Sequence, residues 1–291
     1  MILITGGTGF LGRQIVRSAL KRGHPVRLVT RKPTHERNIQ EIVTEDMFSE
    51  SLEWWNEVLN GVDIVIHAAW YTEPGKCLTS LRNLDCLQGS IVLARACAES
   101  KVRRFMGVGT CFEYDLGQGL LDVRTPLRPE TLYAASKAST FLTLEAYFAT
   151  TDVSFTWARP FYLYGEGEDP RRLFPYLHQR LSAGEPAELT RGNQIRDYLD
   201  VEIAGRMIVE AAAGNLTGAV NICSGVPITV RQMAERIADQ YGRRDLLRFG
   251  ARADNITDPT CVVGRIYQAT SRTSCDTAGC GTGQEQTSSR F

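Results

Sequence analysis

The chain begins with an apolar run, Ile2–Ile4, that leads directly into the glycine-rich sequence Thr5–Gly12. A strand that turns through glycines into a helix forms a phosphate cradle, because the N–H groups at the start of the helix point toward the anion. We expect Gly6 to permit the tight turn, Gly9 to let the backbone approach a pyrophosphate and Gly12 to let the helix pack against the strand. This order of elements predicts dinucleotide binding.

The residues after the glycines have the period of an amphipathic helix. Its predicted apolar face consists of Leu11, Ile15, Val16, Ala19 and Leu20. An apolar stripe with this spacing lets a helix pack onto a sheet. The predicted cofactor-binding turn therefore comprises Gly6, Gly9, Phe10, Leu11 and Gly12.

Short apolar runs alternate with helical patterns through the first half of the chain. The predicted strands after the first are Val26–Val29, Ile39–Val43, Asp63–His67 and Arg104–Val108, and the predicted helices between them are Ser51–Leu59 and Leu81–Ser100. This alternation implies right-handed crossovers and a parallel sheet with both faces covered. The sequence therefore predicts a Rossmann-type, doubly wound α/β domain over residues 1–160.

The pattern becomes looser after the predicted strand Val153–Trp157. Later helices are predicted at Leu173–Ala183, Val201–Ala213 and Val230–Tyr241, with a strand at Ala219–Ile222. We expect residues 161–264 to form a smaller mixed α/β substrate lobe over the carboxyl edge of the sheet, with some segments returning to that sheet. Residues 265–291 are rich in Ser, Thr, Gly, Arg and Gln, which predicts a disordered tail or a frame-altered end.

Charge and composition argue against several classes of partner. The 33 Lys and Arg residues balance 33 Asp and Glu residues, so no net field favours nucleic acid or an anionic membrane. Apolar runs are far shorter than the roughly 20 residues that span a bilayer. The eight cysteines lack the paired spacing of a metal site, so we expect none. Since Met1 leads straight into the first strand, we expect a protein of the reducing cytosol.

The segment Tyr133–Lys137 carries the residue types of an acid–base catalyst. A phenol and an ammonium four positions apart lie on the same face of a helix. We expect the ammonium to lower the pKa of the phenol, so that Tyr133 can exchange a proton with a sugar hydroxyl or ketone. Lys137 can also hold the nicotinamide ribose of a dinucleotide.

Taken together, these motifs resemble those of the extended short-chain dehydrogenase/reductase family, which contains nucleotide-sugar epimerases, dehydratases and reductases. The resemblance covers residues 1 to about 264. The segments that carry it are Thr5–Gly12, Asp46, Gly61–Ala69, Thr110–Tyr114, Tyr133 with Lys137, Arg159–Pro160, Tyr164–Gly165 and Arg196–Tyr198. Several motifs in the family's order are more specific than any one of them.

The resemblance implies roles for individual residues. Tyr133 would be the acid, Thr110 would orient the substrate oxygen, and Lys137 would tune the phenol. On the cofactor side it implies Asp46 for the adenine amino group and Ala68 and Ala69 along the dinucleotide. On the substrate side it implies Arg196 and Arg252 as grips on a nucleotide-sugar diphosphate, since guanidinium groups pair with phosphate oxygens in two-point contacts.

The residues after Thr110 separate the subtypes of the family. Sugar 4,6-dehydratases have Asp and Glu there, whereas this chain has Cys111 and Phe112, and Glu113 stands one position too late. Fucose-synthase-like enzymes carry Cys and His where this chain has Phe112 and Arg172. Elimination and double epimerisation are therefore disfavoured, while Cys111 stays a candidate substrate contact.

The end of the second strand bears on the choice of cofactor. Members that prefer NAD place a carboxylate there to accept the ribose 2′-hydroxyl, but this chain continues Thr30-Arg31-Lys32. Arg31 can pair with a 2′-phosphate, so NADP(H) is favoured and NAD(H) stays possible. The family's Asn before Gly89 is replaced by Cys86, and we expect Asn83 to lie on a different face of its helix.

The sequence therefore predicts an NADPH-dependent 4-ketoreductase for a nucleoside-diphosphate 4-keto-6-deoxyhexose, with a nucleotide sugar as its partner and a possible homodimer. Two other enzymes stay open: a nucleotide-sugar 4-epimerase with bound NAD, and a GDP-L-fucose-synthase-type epimerase/reductase. A non-enzymatic dinucleotide sensor or RNA-binding scaffold is a rival from another class. The balanced charge and the presence of both Tyr133 and Lys137 argue against that rival.

Overall fold

The computed structural model describes residues 1–34, 36, 38–255 and 258–266. Its strands are β1 (Ile2–Thr5), β2 (Val26–Thr30), β3 (Ile39–Val43), β4 (Ile64–His67), β5 (Arg104–Val108), β6 (Leu120–Leu121), β7 (Ser154–Pro160), β8 (Tyr162–Tyr164), β9 (Ala187–Leu189), β10 (Ile195–Asp200), β11 (Gly218–Ile222), β12 (Pro227–Thr229), β13 (Leu247–Phe249) and β14 (Cys261–Gly264). Its α-helices are α1 (Phe10–Lys21), α2 (Leu52–Val58), α3 (Arg82–Glu99), α4 (Leu132–Phe148), α5 (Leu173–Ser182), α6 (Val201–Ala213) and α7 (Val230–Tyr241).

Seven parallel strands form the main sheet, in the order β11-β7-β5-β4-β1-β2-β3. The order reverses between β1 and β4, which is where doubly wound sheets collect ligands at the carboxyl ends of their strands. The predicted fold class is confirmed. Two of the strands, β7 and β11, come from the second half of the chain and extend one edge of the sheet.

Helices cover both faces of the main sheet, as its apolar strands require. One buried cluster packs the sheet against α2, α3 and α4, with Trp55, Leu93 and Phe141 among its members. The other packs it against α1 and α6. On that side Gly205 allows a close approach, since a Cβ there would lie 2.7 Å from the backbone carbon of Gln14.

A second layer is built from short strands. In it the first half of β10 lies between β12 and β14, its second half pairs with β8, and β14 continues to β6. Strands β9 and β13 form a separate parallel pair beside α5 and α7. Most of these strands were not predicted, because runs of three or four residues carry no readable period.

The predicted tail from residue 265 lies almost wholly outside the described residues. Its first two residues are described, and the carbonyl of Arg265 accepts a hydrogen bond from Asn221 Nδ2 at 3.2 Å. Among the described residues, no helix combines the length and hydropathy that a bilayer crossing requires.

Candidate active site

The glycine turn after β1 is tightly packed at Gly6 and Gly12 and less tightly at Gly9. Gly6 has φ +72°, and a Cβ there would lie 2.6 Å from the amide nitrogen of Ala69. A Cβ on Gly12 would overlap the carbonyl oxygen of Gly6. At Gly9 a Cβ would lie 3.3 Å from the carbonyl oxygen of Gly6, a close contact that needs an adjustment of a few tenths of an ångström. Packing is thus less restrictive at Gly9 than at Gly6 and Gly12, and a backbone without a side chain there fits a phosphate group that approaches it.

A buried histidine ties this turn to β4. Ser90 Oγ donates to the carbonyl of Cys86 at 2.6 Å, so His67 Nε2 must carry the hydrogen of its 2.8 Å contact with Ser90. His67 Nδ1 then accepts from Thr5 Oγ1 at 2.8 Å, and Thr5 Oγ1 accepts from the Ala69 N–H. Burial lowers the pKa of His67 to about 3, so the ring is neutral. Sequence reasoning missed this role, although His67 ends an apolar strand.

The remaining cofactor-side predictions lie along the carboxyl edge of the sheet. Arg31 follows β2 directly and is exposed. Asp46 accepts an ion-pair hydrogen bond from Arg82 at 2.7 Å. Ala68 donates its N–H to the carbonyl of Thr5, and Ala69 packs beside Gly6. Phe10 and Leu11 open α1, after Gly9 as its N-cap.

The structure brings Thr110 and Tyr133 together. Thr110 follows β5 and Tyr133 stands in the first turn of α4, and the Thr110 hydroxyl lies near enough to the phenol to act on its pKa. Thr110 Oγ1 already accepts from the Phe112 N–H at 3.3 Å, so its own hydrogen is free to be donated. Two hydroxyl groups therefore meet at the carboxyl end of the central strands, where a substrate oxygen can accept from both.

The expectation that Tyr133 has a lowered pKa is wrong for the free protein. Burial raises the pKa of Tyr133, and the neighbouring Thr110 hydroxyl lowers it by less. Lys137 Nζ donates to the carbonyl of Val108 at 2.5 Å, and its ammonium does not offset the burial of the phenol. Tyr133 is therefore protonated at neutral pH, which is the form that a proton donor needs.

Lys137 is almost wholly buried. It is 2% exposed, and burial lowers its pKa to about 7. The carboxylate of Glu113 acts in the opposite direction and raises the pKa. Lys137 can therefore change charge near neutral pH, although it is a lysine.

Glu113 forms a buried ion pair beneath the site. Its carboxylate accepts from Arg159 Nε at 2.7 Å, from Trp157 Nε1 at 3.0 Å and from the Thr110 N–H at 2.9 Å. Both members of the pair are at most 1% exposed. Gly109 is required here because a Cβ would overlap the Glu113 carboxylate. Glu113 thus supports the Thr110 turn from below and does not face the cleft.

Cys111 and Phe112, the two residues that separate the subtypes of the family, lie in apolar surroundings. Cys111 is 2% exposed and packs with Tyr114, Leu121 and Phe161. Burial raises the pKa of its thiol, so Cys111 is uncharged at neutral pH. Phe112 lies edge-to-face with Tyr162, with ring centroids 6.0 Å apart. Neither residue supplies a carboxylate to the cleft.

The two predicted diphosphate arginines lie in the second layer. Arg196 in β10 is 3% exposed and forms an ion pair with Asp258 at 2.7 Å. Arg252 is exposed, and its guanidinium lies 4.7 Å from the centroid of the Tyr176 ring. An anionic ligand would therefore meet Arg252 freely but would compete with Asp258 for Arg196.

The prediction that Asn83 and Cys86 lie on different faces of their helix is wrong. Both side chains are buried on the inner side of α3, since residues three apart share a helix face. Asn83 accepts from Trp70 Nε1 at 2.8 Å and donates to the carbonyls of Cys77 and Ser80. It therefore fixes the segment that follows β4, a role that sequence reasoning missed.

The chain is similar to known proteins along most of its length. The family model described as "NAD dependent epimerase/dehydratase family" matches residues 2–223. The dTDP-6-deoxy-L-talose 4-dehydrogenase (NAD(+)) of Aggregatibacter actinomycetemcomitans is 25% identical over 247 residues, which are 82% of this chain and 90% of that protein. The CDP-abequose synthase of Salmonella muenchen is 22% identical over 260 residues, covering 86% and 84% of the two chains.

Solved structures share the fold. A UDP-N-acetylglucosamine 4-epimerase from Methanobrevibacter ruminantium superposes with a TM-score of 0.80 at 23% identity, covering 91% of this chain and 89% of that one. A dTDP-glucose 4,6-dehydratase from Streptomyces venezuelae, solved with NAD, gives 0.77 at 22% identity, covering 91% and 88%. The resemblance to extended short-chain dehydrogenases/reductases is confirmed, and the chain belongs to the NAD dependent epimerase/dehydratase family.

Proposed function

We propose that this protein reduces the 4-keto group of a nucleoside-diphosphate 4-keto-6-deoxyhexose with NADPH. The observation that carries the proposal is that the Thr110 hydroxyl and the Tyr133 phenol lie beside each other where β5 meets α4. A carbonyl oxygen that accepts hydrogen bonds from both hydroxyls can take its proton from Tyr133, whose burial keeps it protonated. A bound nicotinamide dinucleotide supplies the hydride.

The residues beside Thr110 support reduction over elimination. Cys111 is buried and uncharged, and Phe112 carries an aromatic ring. Elimination of water needs an acid and a base beside the sugar, and these two side chains offer neither. The relative named as a dTDP-6-deoxy-L-talose 4-dehydrogenase supports redox chemistry at position 4 of a 6-deoxy sugar nucleotide.

The proposed preference for NADPH over NADH rests on Arg31. It is exposed directly after β2, at the strand end where NAD-binding members hold a carboxylate. A guanidinium there pairs with a 2′-phosphate in a two-point contact. The name of the Aggregatibacter actinomycetemcomitans relative specifies NAD(+). A measurement of the bound nucleotide distinguishes NADPH from NAD for this chain.

The main rival is a 4-epimerase that retains NAD, and the cofactor distinguishes the two. Nucleotide extracted from the purified protein is identified by mass, and NADPH oxidation is followed with a nucleoside-diphosphate 4-keto-6-deoxyhexose. The proposal expects stoichiometric NADPH consumption. Tightly retained NAD with no net consumption, together with interconversion of 4-epimers, would favour the epimerase.

A further inference from the structure

The indole of Trp70 covers the ammonium group of Lys137. Lys137 Nζ lies 3.9 Å from the centroid of the Trp70 ring, whereas the ring of Trp157 is 5.9 Å away. The face of an indole attracts a cation at this distance, and more strongly where water is excluded. Lys137 is 2% exposed, so this contact lies in such an environment.

Asn83 fixes the orientation of that indole. Its Nδ2 group donates to the carbonyls of Cys77 and Ser80, at 2.7 and 2.8 Å. Two carbonyl acceptors determine which side of the amide is nitrogen, so Oδ1 must face the Trp70 N–H, 2.8 Å away. Asn83 is fully buried, and the indole therefore cannot turn without breaking a buried hydrogen bond.

The segment from Trp70 to Ser80 also reaches the other member of the catalytic pair. The carbonyl of Leu78 accepts from the backbone N–H of Tyr133 at 3.1 Å. One segment after β4 therefore contacts the ammonium of Lys137 at its start and the helix turn of Tyr133 near its end.

We propose that Trp70 is a positioning residue that holds the Lys137 ammonium beside Val108 and favours its charged form. Asn83 acts by keeping the indole in place. The inference rests on the proposed redox function only where activity is measured, since the contact itself exists in the cofactor-free protein.

Other titratable groups also face Lys137 and bear on its pKa. Glu113 raises the pKa of Lys137 and burial lowers it, giving a value of about 7. Cys86 faces it from α3, and His67 faces it from β4 as a neutral ring. Because the pKa of Lys137 is close to neutral pH, an attraction of cation–π strength measurably changes the fraction of Lys137 that is charged.

The first test uses tryptophan fluorescence of the cofactor-free protein between pH 6 and 9. Wild type should show a transition with a midpoint near 7, because Trp70 senses the charge on Lys137. Lys137→Met should lose that transition, and Trp70→Phe should lose most of it, since Trp157 lies farther from the ammonium, at 5.9 Å. Trp54→Phe, altered on α2, should keep it. Absence of the transition in wild type, or its full amplitude in Trp70→Phe, would overturn the proposal.

The second test compares Trp70→Leu with Trp70→Phe. Both lose the hydrogen bond to Asn83 and much of the indole volume, but only Phe keeps an aromatic face. We expect the alkaline limb of kcat/KM in Trp70→Leu to lie about 0.5 to 1.5 pH units below that in Trp70→Phe. Identical limbs in two folded variants would overturn the proposal.

Asn83→Ala provides an independent variant that keeps the indole in the chain. In Asn83→Ala we expect the midpoint of the fluorescence transition to move toward lower pH. This is the same direction in which the alkaline limb of kcat/KM moves in Trp70→Leu. Circular dichroism confirms that each variant is folded. If the fluorescence results hold but no 4-keto sugar is reduced, the proposed function fails and the positioning role survives.

Discussion

The hydroxyl of Thr110 lies beside the phenol of Tyr133, where the end of β5 meets the first turn of α4. Thr110 Oγ1 accepts from the Phe112 N–H, which leaves its own hydrogen available to a neighbouring oxygen. Two O–H groups thus converge where the parallel strands end, and the glycine turn lies at the same edge of the sheet. In the proposed reduction, this arrangement would let Tyr133 give its proton to a carbonyl oxygen.

Removing the phenol oxygen should slow turnover strongly without unfolding the protein. Tyr133→Phe loses the proton donor but keeps the ring, so we expect kcat to fall by about 10²- to 10⁴-fold. Binding of nucleotide sugar, measured by calorimetry, should be unchanged. The matched control is Tyr147→Phe on the same helix, which should retain full turnover. Equal rates in Tyr133→Phe and wild type would contradict the mechanism.

The buried ion pair beneath the site should be essential for stability. Glu113→Gln leaves the Arg159 guanidinium buried without a counter-charge, and we expect the free energy of unfolding to fall by about 3–5 kcal/mol. Urea denaturation measures the change. Glu145→Gln, an exposed position on α4, should stay close to wild type. An unaltered midpoint for Glu113→Gln would show that the pair is dispensable.

Acid should destabilise the protein through His67. Its folded pKa is about 3, below the ordinary value of 6.5, so below pH 6.5 only the unfolded chain takes up the proton. The free energy of unfolding should therefore fall with pH between 6.5 and 3, by up to ~1.4 kcal/mol per pH unit from this group.

A pair of variants isolates that dependence. His67→Asn should be less stable at pH 7.5, since it loses hydrogen bonds to Thr5 and Ser90, but should show a shallower slope between pH 6 and 4.5. Ser90→Ala should lose stability and keep the wild-type slope, because His67 still titrates. Equal slopes in all three proteins would refute the assignment to His67.

The cofactor proposal predicts a selective effect at Arg31. Removing a guanidinium from a 2′-phosphate should weaken NADPH about tenfold or more, whereas the affinity for NADH, which lacks that phosphate, should not change. Fluorescence titration of Arg31→Ala with both nucleotides measures this. Arg95→Ala, on the exposed side of α3, serves as the control. Equal loss of both nucleotides would argue against 2′-phosphate recognition.

The main sheet could be predicted from sequence because its strands are continuous apolar runs separated by helical periods. Predicted bounds agree with β3 and β5 and differ by one residue at β2 and β4. Strand β7 continues to Pro160, three residues beyond its predicted end, because it pairs with β5 and β11 along its length. Tertiary pairing, which local sequence does not report, extends it.

The second layer could not be predicted in the same way. Strands β8, β9, β12 and β13 have three residues each and exist because distant segments pair with them. The pair formed by Glu113 and Arg159 was missed for a similar reason, since 46 positions separate the two residues. A signal was available: one acid and one base stand alone in otherwise apolar buried segments, and such charges need a partner.

The most direct measurement follows deuterium from NADPH labelled on its nicotinamide ring into a nucleoside-diphosphate 4-keto-6-deoxyhexose. The account predicts one deuterium at carbon 4 of the product, one NADPH consumed per product, and neither with Tyr133→Phe. Unlabelled product formed without NADPH consumption, or undiminished labelling with Tyr133→Phe, would contradict it.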